Sequence, residues 1–196
     1  MQWLKHKLKS KLGVLTLALG TAACSSTLTL TDGTGQNMVG AQGIVTLVNL
    51  HPDTGRGLRL SAVNWQMPMT IPMCSEVEIQ EVTKKVATIR VKETGITHLY
   101  YYHKAANEPF DQHLKRYFGY QCDKAKVAKL SKIDKKGIKD GKPYVGMSKQ
   151  GIIYAMGYPP PHQTSSTDLD TWKYWKNRFD TLLIQFEKGK VTQIID

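Results

Sequence analysis

The feature that most constrains this chain is its first 24 residues. A basic stretch, KHKLKSK, runs into an apolar stretch, LGVLTLALGTAA, which ends in small residues just before Cys24. A positive segment, a short apolar segment and small residues ahead of a cut point mark a secretory signal. The apolar run is shorter than the roughly 20 residues that a membrane-spanning helix needs. Residues 1–23 are therefore expected to be removed and to take no part in the fold. No later segment is long and apolar enough to span a bilayer, so the rest is expected to fold after export, where disulfides persist.

Two cuts compete at this point. Thr21-Ala22-Ala23 suits ordinary signal peptidase and would give a secreted protein in which Cys24 is incidental. Thr21-Ala22-Ala23-Cys24 also resembles the lipobox of bacterial lipoproteins. That resemblance implies lipidation of Cys24, a covalent lipid anchor at a new N-terminus and, with Ser25 rather than Asp next, transfer to the outer membrane. More than one acyl chain is what holds such an anchor stably. The cysteine count bears on the choice. The chain has three cysteines, so lipid on Cys24 leaves Cys74 and Cys122 as an even pair. A disulfide between them would close a loop of about 50 residues, worth about 4 kcal/mol on the chain-entropy argument. The alternative is two buried thiols.

The formal net charge is +11. Lys5, Lys7, Lys9 and Lys11 supply four of those charges inside the leader, which holds no acid, so the remainder carries +7. A basic body suits anionic partners or simply a solvated lysine surface. In an exported protein those partners are envelope proteins, glycan or anionic lipid head groups, not nucleic acid.

Residues 24–42, rich in Ser, Thr and Gly, read as a lipid-anchored flexible tether, or as a loosely packed first strand at Thr27–Leu30. Residues 43–131 read as a β-rich domain with helices at its end. GIVTLVNL, GLRLSAVNW, SEVEIQEV, VATIRVKE and ITHLYYYH alternate as strands, with short turns suited to hairpins. Five short strands with tight turns suggest a small barrel of the SH3-like kind. Phe110, Leu114, Tyr117 and Phe118 share one helical face, with Asn107 as the expected cap and Gly119 as the stop. A second short helix is expected over 123–130. Residues 132–143 read as a basic, Gly-containing linker. Residues 144–196 read as a helix capped by Ser148 and ended by Gly157 and Pro159, a Pro- and Ser-rich loop, and three strands. The fold class is therefore α+β: an N-terminal SH3-like barrel with a trailing helix, then a helix packed on a three-stranded antiparallel sheet.

Four features of residues 144–196 carry a family resemblance. Gly146-Met147-Ser148-Lys149 opens the helix, and Gly157-Tyr158-Pro159 closes it. Trp172-Lys173-Tyr174 lies on the next strand, and Phe186-Glu187-Lys188-Gly189-Lys190-Val191 forms the last hairpin. Together they resemble the BamE/SmpA/OmlA family of small outer-membrane lipoproteins. The resemblance implies a helix-on-antiparallel-sheet module, no cofactor, and a scaffold role in barrel assembly or envelope integrity alongside outer-membrane or periplasmic proteins. Roughly a hundred further residues precede the matching segment. The same general fold also occurs in a secreted β-lactamase inhibitor, so a secreted periplasmic binding or inhibitor protein is the competing expectation.

Signs of catalysis are weak. His98, His103 and His113 lack the spacing of convergent metal ligands. Asp168 and Asp170 share a polar loop that offers no contrast in burial. Ser165 and Ser166 lack a nucleophile-elbow context. The chain is thus expected not to be an enzyme and to hold no metal. Two aromatic–basic runs, THLYYYHK and TWKYWKNRF, remain. In the second, Lys173, Trp175, Lys176 and Arg178 are the candidate interaction surface.

Overall fold

The computed structural model describes residues 27–196. The signal segment 1–23, Cys24 and the first residues of the expected tether lie outside the described residues.

The order of elements is β1 (Ile44–Thr46), β2 (Leu60–Ser61), β3 (Glu76–Val82), β4 (Val86–Val91), β5 (Thr97–Tyr101), α1 (Phe110–Tyr117), β6 (Phe118–Gly119), α2 (Lys124–Lys129), α3 (Lys132–Asp140), α4 (Lys149–Met156), β7 (Thr171–Trp175), β8 (Thr181–Glu187) and β9 (Lys190–Ile195). They form a curled six-stranded sheet in the order β2-β5-β4-β3-β1-β6 and a separate sheet β7-β8-β9. All pairs are antiparallel except β2 with β5. The mixed α+β class expected from the pattern is what the chain adopts.

Alternation explains the strands. Ala87, Ile89 and Val91 of β4 face inward, as do His98 and Tyr100 of β5. In β3, Val77 and Ile79 are buried, and the register shifts between Ile79 and Glu81. That bulge adds one residue and returns Val82 to the inner face. In the second sheet Trp172, Tyr174, Leu182, Ile184, Phe186 and Val191 line one buried face. One apolar cluster runs from Leu30 through both sheets and α4 to Val191.

Three local expectations need correction. The described part of the expected tether, residues 27–42, is docked. Leu30 and Met38 are 0% and 1% exposed. Leu28 N–H donates to Val82 O, Met38 N–H to Leu30 O, and Gly40 N–H to Ile79 O. Leu28 and Gly40 bond to partners distant in sequence, on β3, so no local period announces the packing. The expected linker 132–143 is mostly α3, whose start carries a capping box. Ser131 Oγ accepts from Asp134 N–H, and the Asp134 carboxylate accepts from Ser131 N–H. Finally, α1 begins after Pro109, not Asn107. Asn107 instead ends a 3-10 turn over Lys104–Ala106 in a left-handed conformation. Gly119 does not stop α1 but pairs with Val45 as part of β6.

Elsewhere the helix signals hold. Ser148 caps α4 and accepts from Gly151 N–H at 3.0 Å. Gly157 ends α4 at φ 75°, a conformation that favours glycine.

Candidate functional site

The segment after β1 builds a concavity against β5 and α1. Asp53 opens a 3-10 turn over Thr54–Arg56 by accepting from Gly55 N–H at 3.0 Å. Gly57 and Leu58 then adopt positive φ, which swings the chain into β2 beside β5. Sequence alternation suggests a longer strand through Leu58, but only Leu60–Ser61 pairs with β5. The result is a cavity of about 190 Å³ between this segment, β5 and α1. Leu50, Leu60, Tyr100 and Tyr117 are its apolar side, and Arg56 and Arg59 stand at its rim. Arg56 lies over the Trp65 ring at 5.3 Å, and Arg59 over the Tyr101 ring at 4.9 Å.

A buried relay runs behind the cavity. Tyr100 OH lies 2.8 Å from His113 Nε2, and His113 Nδ1 lies 2.8 Å from a Glu108 carboxylate oxygen. A carboxylate only accepts, so Nδ1 carries the proton and Nε2 accepts from the tyrosine hydroxyl. Arg116 also pairs with Glu108 and lies over the Tyr158 ring at 4.6 Å. Burial pushes His113 down despite the Glu108 contact, so the imidazole is held neutral. Burial pushes the Glu108 carboxyl up, but His113 and Arg116 together outweigh it and hold it below the usual range. Tyr100 is pushed well up by burial. Both ring nitrogens of His113 are engaged, which leaves none for a substrate.

The sequence-predicted surface divides. Lys173 and Trp175 share the outer face of β7, with the lysine ammonium 5.5 Å from the indole ring. Trp175 stacks on His162 and donates to its Nε2 at 3.2 Å. Lys176 is paired, to Asp196 at 2.5 Å and Asp180 at 3.5 Å. Arg178 stands at the β7–β8 hairpin tip beside Phe179, which is 88% exposed. That tip joins Arg56, Trp65 and Met67 around a shallow groove next to the cavity. The structure thus brings Arg178 to Arg56 and Trp65 and leaves Lys176 out. Arg56, Arg59 and Trp65 were missed as site residues. Two arginines within TGRGLRL were the available signal, but their meeting with Tyr101 depends on the β2–β5 pairing.

The sulfurs of Cys74 and Cys122 lie at disulfide distance, with Cα atoms 5.3 Å apart. Cys24 lies outside the described residues. Among the described residues no three His, Cys, Asp or Glu side chains gather to hold a metal ion, and no helix is long and apolar enough to cross a membrane. His98 and His113 are buried on inward faces, and His103 accepts from Ala105 N–H at 3.1 Å.

Comparison with protein-family models, with curated proteins and with solved structures finds no match to this chain.

Proposed function

We propose that the chain is an exported protein of the bacterial envelope, anchored by lipid at Cys24, that works without catalysis through protein and membrane-surface contacts. The observation that carries this reading is the cysteine arrangement. Cys74 and Cys122 sit at disulfide distance, and the third cysteine falls where the apolar leader ends. A pair of this kind suits an oxidising compartment, and the odd cysteine is the one that a lipobox would acylate.

Residues 43–131 would be SH3-like and residues 144–196 BamE-like. The antiparallel sheet β7-β8-β9 with α4 supplies the parts that such a module needs. The role would be assembly, adaptor or integrity work at the periplasmic face of the outer membrane. The exposed arginine–aromatic groove at the hairpin tip is the surface offered to a protein or to anionic head groups.

The test is metabolic labelling with radioactive palmitate, together with crosslinking in intact envelopes. Label on the wild type but not on Cys24→Ala, with recovery of outer-membrane barrels or their assembly factors, supports the reading. Unlabelled protein released in soluble form, crosslinked to one soluble enzyme, would replace it with the secreted inhibitor.

A further inference from the structure

The cavity beside β2 and β5 has a chemistry that surface contacts do not use. Leu50, Leu60, Tyr100 and Tyr117, each at most 3% exposed, form its floor, and the half-buried Trp65, Met67 and Tyr101 form its walls. The volume of about 190 Å³ is somewhat larger than the roughly 150 Å³ of an apolar cavity that holds one benzene ring. It therefore admits one ring or a short acyl chain.

Charge gathers at one end. Arg59 makes no ion pair among the described residues, and Arg56 meets only Asp53, at 3.7 Å through Nε. That exceeds hydrogen-bonding distance. Aromatic faces rather than carboxylates thus orient both guanidiniums. His103 uses Nδ1 to accept from Ala105 N–H, which leaves Nε2 to carry the proton at the rim. Burial holds His51, at the inner end, below the ordinary imidazole range and so neutral. Of the charged side chains lining the cavity, Arg56 and Arg59 face one carboxylate, Asp53. One positive charge is left without a counterpart.

We propose that this cavity binds a small monocarboxylate whose apolar body is one aromatic ring or a short acyl chain. The body lies against Trp65, Met67 and Tyr101, above the floor of Leu50, Leu60 and the two buried tyrosines. The carboxylate meets the guanidiniums of Arg59 and Arg56, whose planar forks match it in shape. A single uncompensated charge suits a monoanion better than a phosphate ester, which carries nearly two charges at neutral pH.

The test titrates the full chain calorimetrically with phenylacetate and hexanoate, using 2-phenylethanol and phenethylamine as neutral and cationic counterparts. Phenylacetate is expected to saturate below about 1 mM and to bind at least about tenfold more tightly than 2-phenylethanol. Arg59→Gln is expected to remove that difference without changing the melting temperature, because Arg59 is exposed. Arg59→Lys should restore part of it, and Arg90→Gln on β4 should leave it intact. Equal affinity for acid and alcohol, no saturation by phenylacetate in that range, or undiminished binding by Arg59→Gln would each overturn the proposal. None of these outcomes depends on whether Cys24 carries lipid.

Discussion

Asn64 brackets Gly157: its amide donates to Met156 O at 2.8 Å and to Tyr158 O at 2.7 Å. The last four carbonyls of a helix have no partner within it. Here the segment after β1 supplies partners for the end of α4. Asn49 and His51 reach Ala155 O, both at 3.1 Å, and Gln66 reaches Met156 O at 3.0 Å. The segment after β1 is therefore joined to the end of α4 by polar caps as well as by a shared apolar cluster.

Asn64→Ala should destabilise the protein by about 2 kcal/mol, because it takes the side-chain donor from Tyr158 O and leaves Met156 O with Gln66 alone. It also loses a residue type suited to the left-handed φ of 55° found there. Asn64→Asp should cost more, since a carboxylate would face carbonyl oxygens. Urea midpoints check both. A shift of less than about 0.5 kcal/mol in either variant would show that water replaces the caps.

Asp134 ties two helix starts together. It is 1% exposed. One carboxylate oxygen accepts from Ser131 Oγ at 2.7 Å, and the other from Ser148 N–H at 2.6 Å and Ser148 Oγ at 3.0 Å. Gly151 lets the carboxylate approach, since a Cβ there would collide with Asp134. Asp134→Ala should lose about 2–4 kcal/mol, combining unpaired donors with a damaged cap. Gly151→Ala should lose about 1–3 kcal/mol by overpacking. The double variant should cost less than the sum of the two, because removing the carboxylate removes the collision. Strict additivity in a double-mutant cycle would contradict the contact.

What the sequence made legible follows from the range of the forces involved. The hairpins β3–β4–β5 and the start of α4 depend on neighbours within a few residues, and alternation and Ser148 announce them. The start of α3 was equally local, since Ser131 and Asp134 form an S-x-x-D cap. The many lysines of KIDKKGIKD nevertheless resemble a solvated linker. Leu30, Met38 and the cavity residues were not legible. Leu28 pairs with Val82, and Arg59 meets Tyr101 only through the parallel β2–β5 pair. No periodicity encodes contacts between such distant positions. The pairing of Lys176 was hidden for a related reason: Asp196 is distant in sequence and only the fold sets it beside the lysine.

Two histidines make stability depend on pH. Burial lowers His51 and His113 below the ordinary value of 6.5. Between the folded and unfolded values the unfolded chain binds more protons, so stability rises with pH. The contribution is present in full above about pH 6.5 and is lost as pH falls toward the folded values. Urea midpoints should therefore drop between pH 7.5 and 5.5. His51→Gln, which can still donate to a carbonyl, should flatten that slope. A slope unchanged in His51→Gln and in His113→Gln would assign the dependence to other groups.

The cysteine pair should be covalent in protein isolated from an oxidising compartment. A sequence separation of 48 gives about 4 kcal/mol as the most that the cross-link adds through the unfolded chain. Reduction, or replacement of both Cys74 and Cys122 by Ser, should lower the unfolding midpoint accordingly. Thiol titration of the unfolded, unreduced protein should find neither cysteine reactive. Two reactive thiols would mean that the pair serves only as packing.

The hairpin tip separates binding from stability. Asn177 Oδ1 accepts from Phe179 N–H at 2.8 Å and from Asp180 N–H at 3.1 Å, so the Asn177 side chain holds the turn without Phe179's ring. Phe179, exposed to solvent, contributes no core contact. Phe179→Ser should therefore leave stability within about 0.5 kcal/mol of the wild type. Binding to anionic vesicles should weaken in Phe179→Ser and Arg178→Glu, measured by flotation on a Cys24→Ser background that removes any acyl anchor. Lys176→Glu should behave differently. It places a third carboxylate beside Asp180 and Asp196, so it should lower stability, with a smaller effect on binding than Arg178→Glu. If Lys176→Glu weakens flotation more than Arg178→Glu does, the interaction surface lies along β7 and not at the tip.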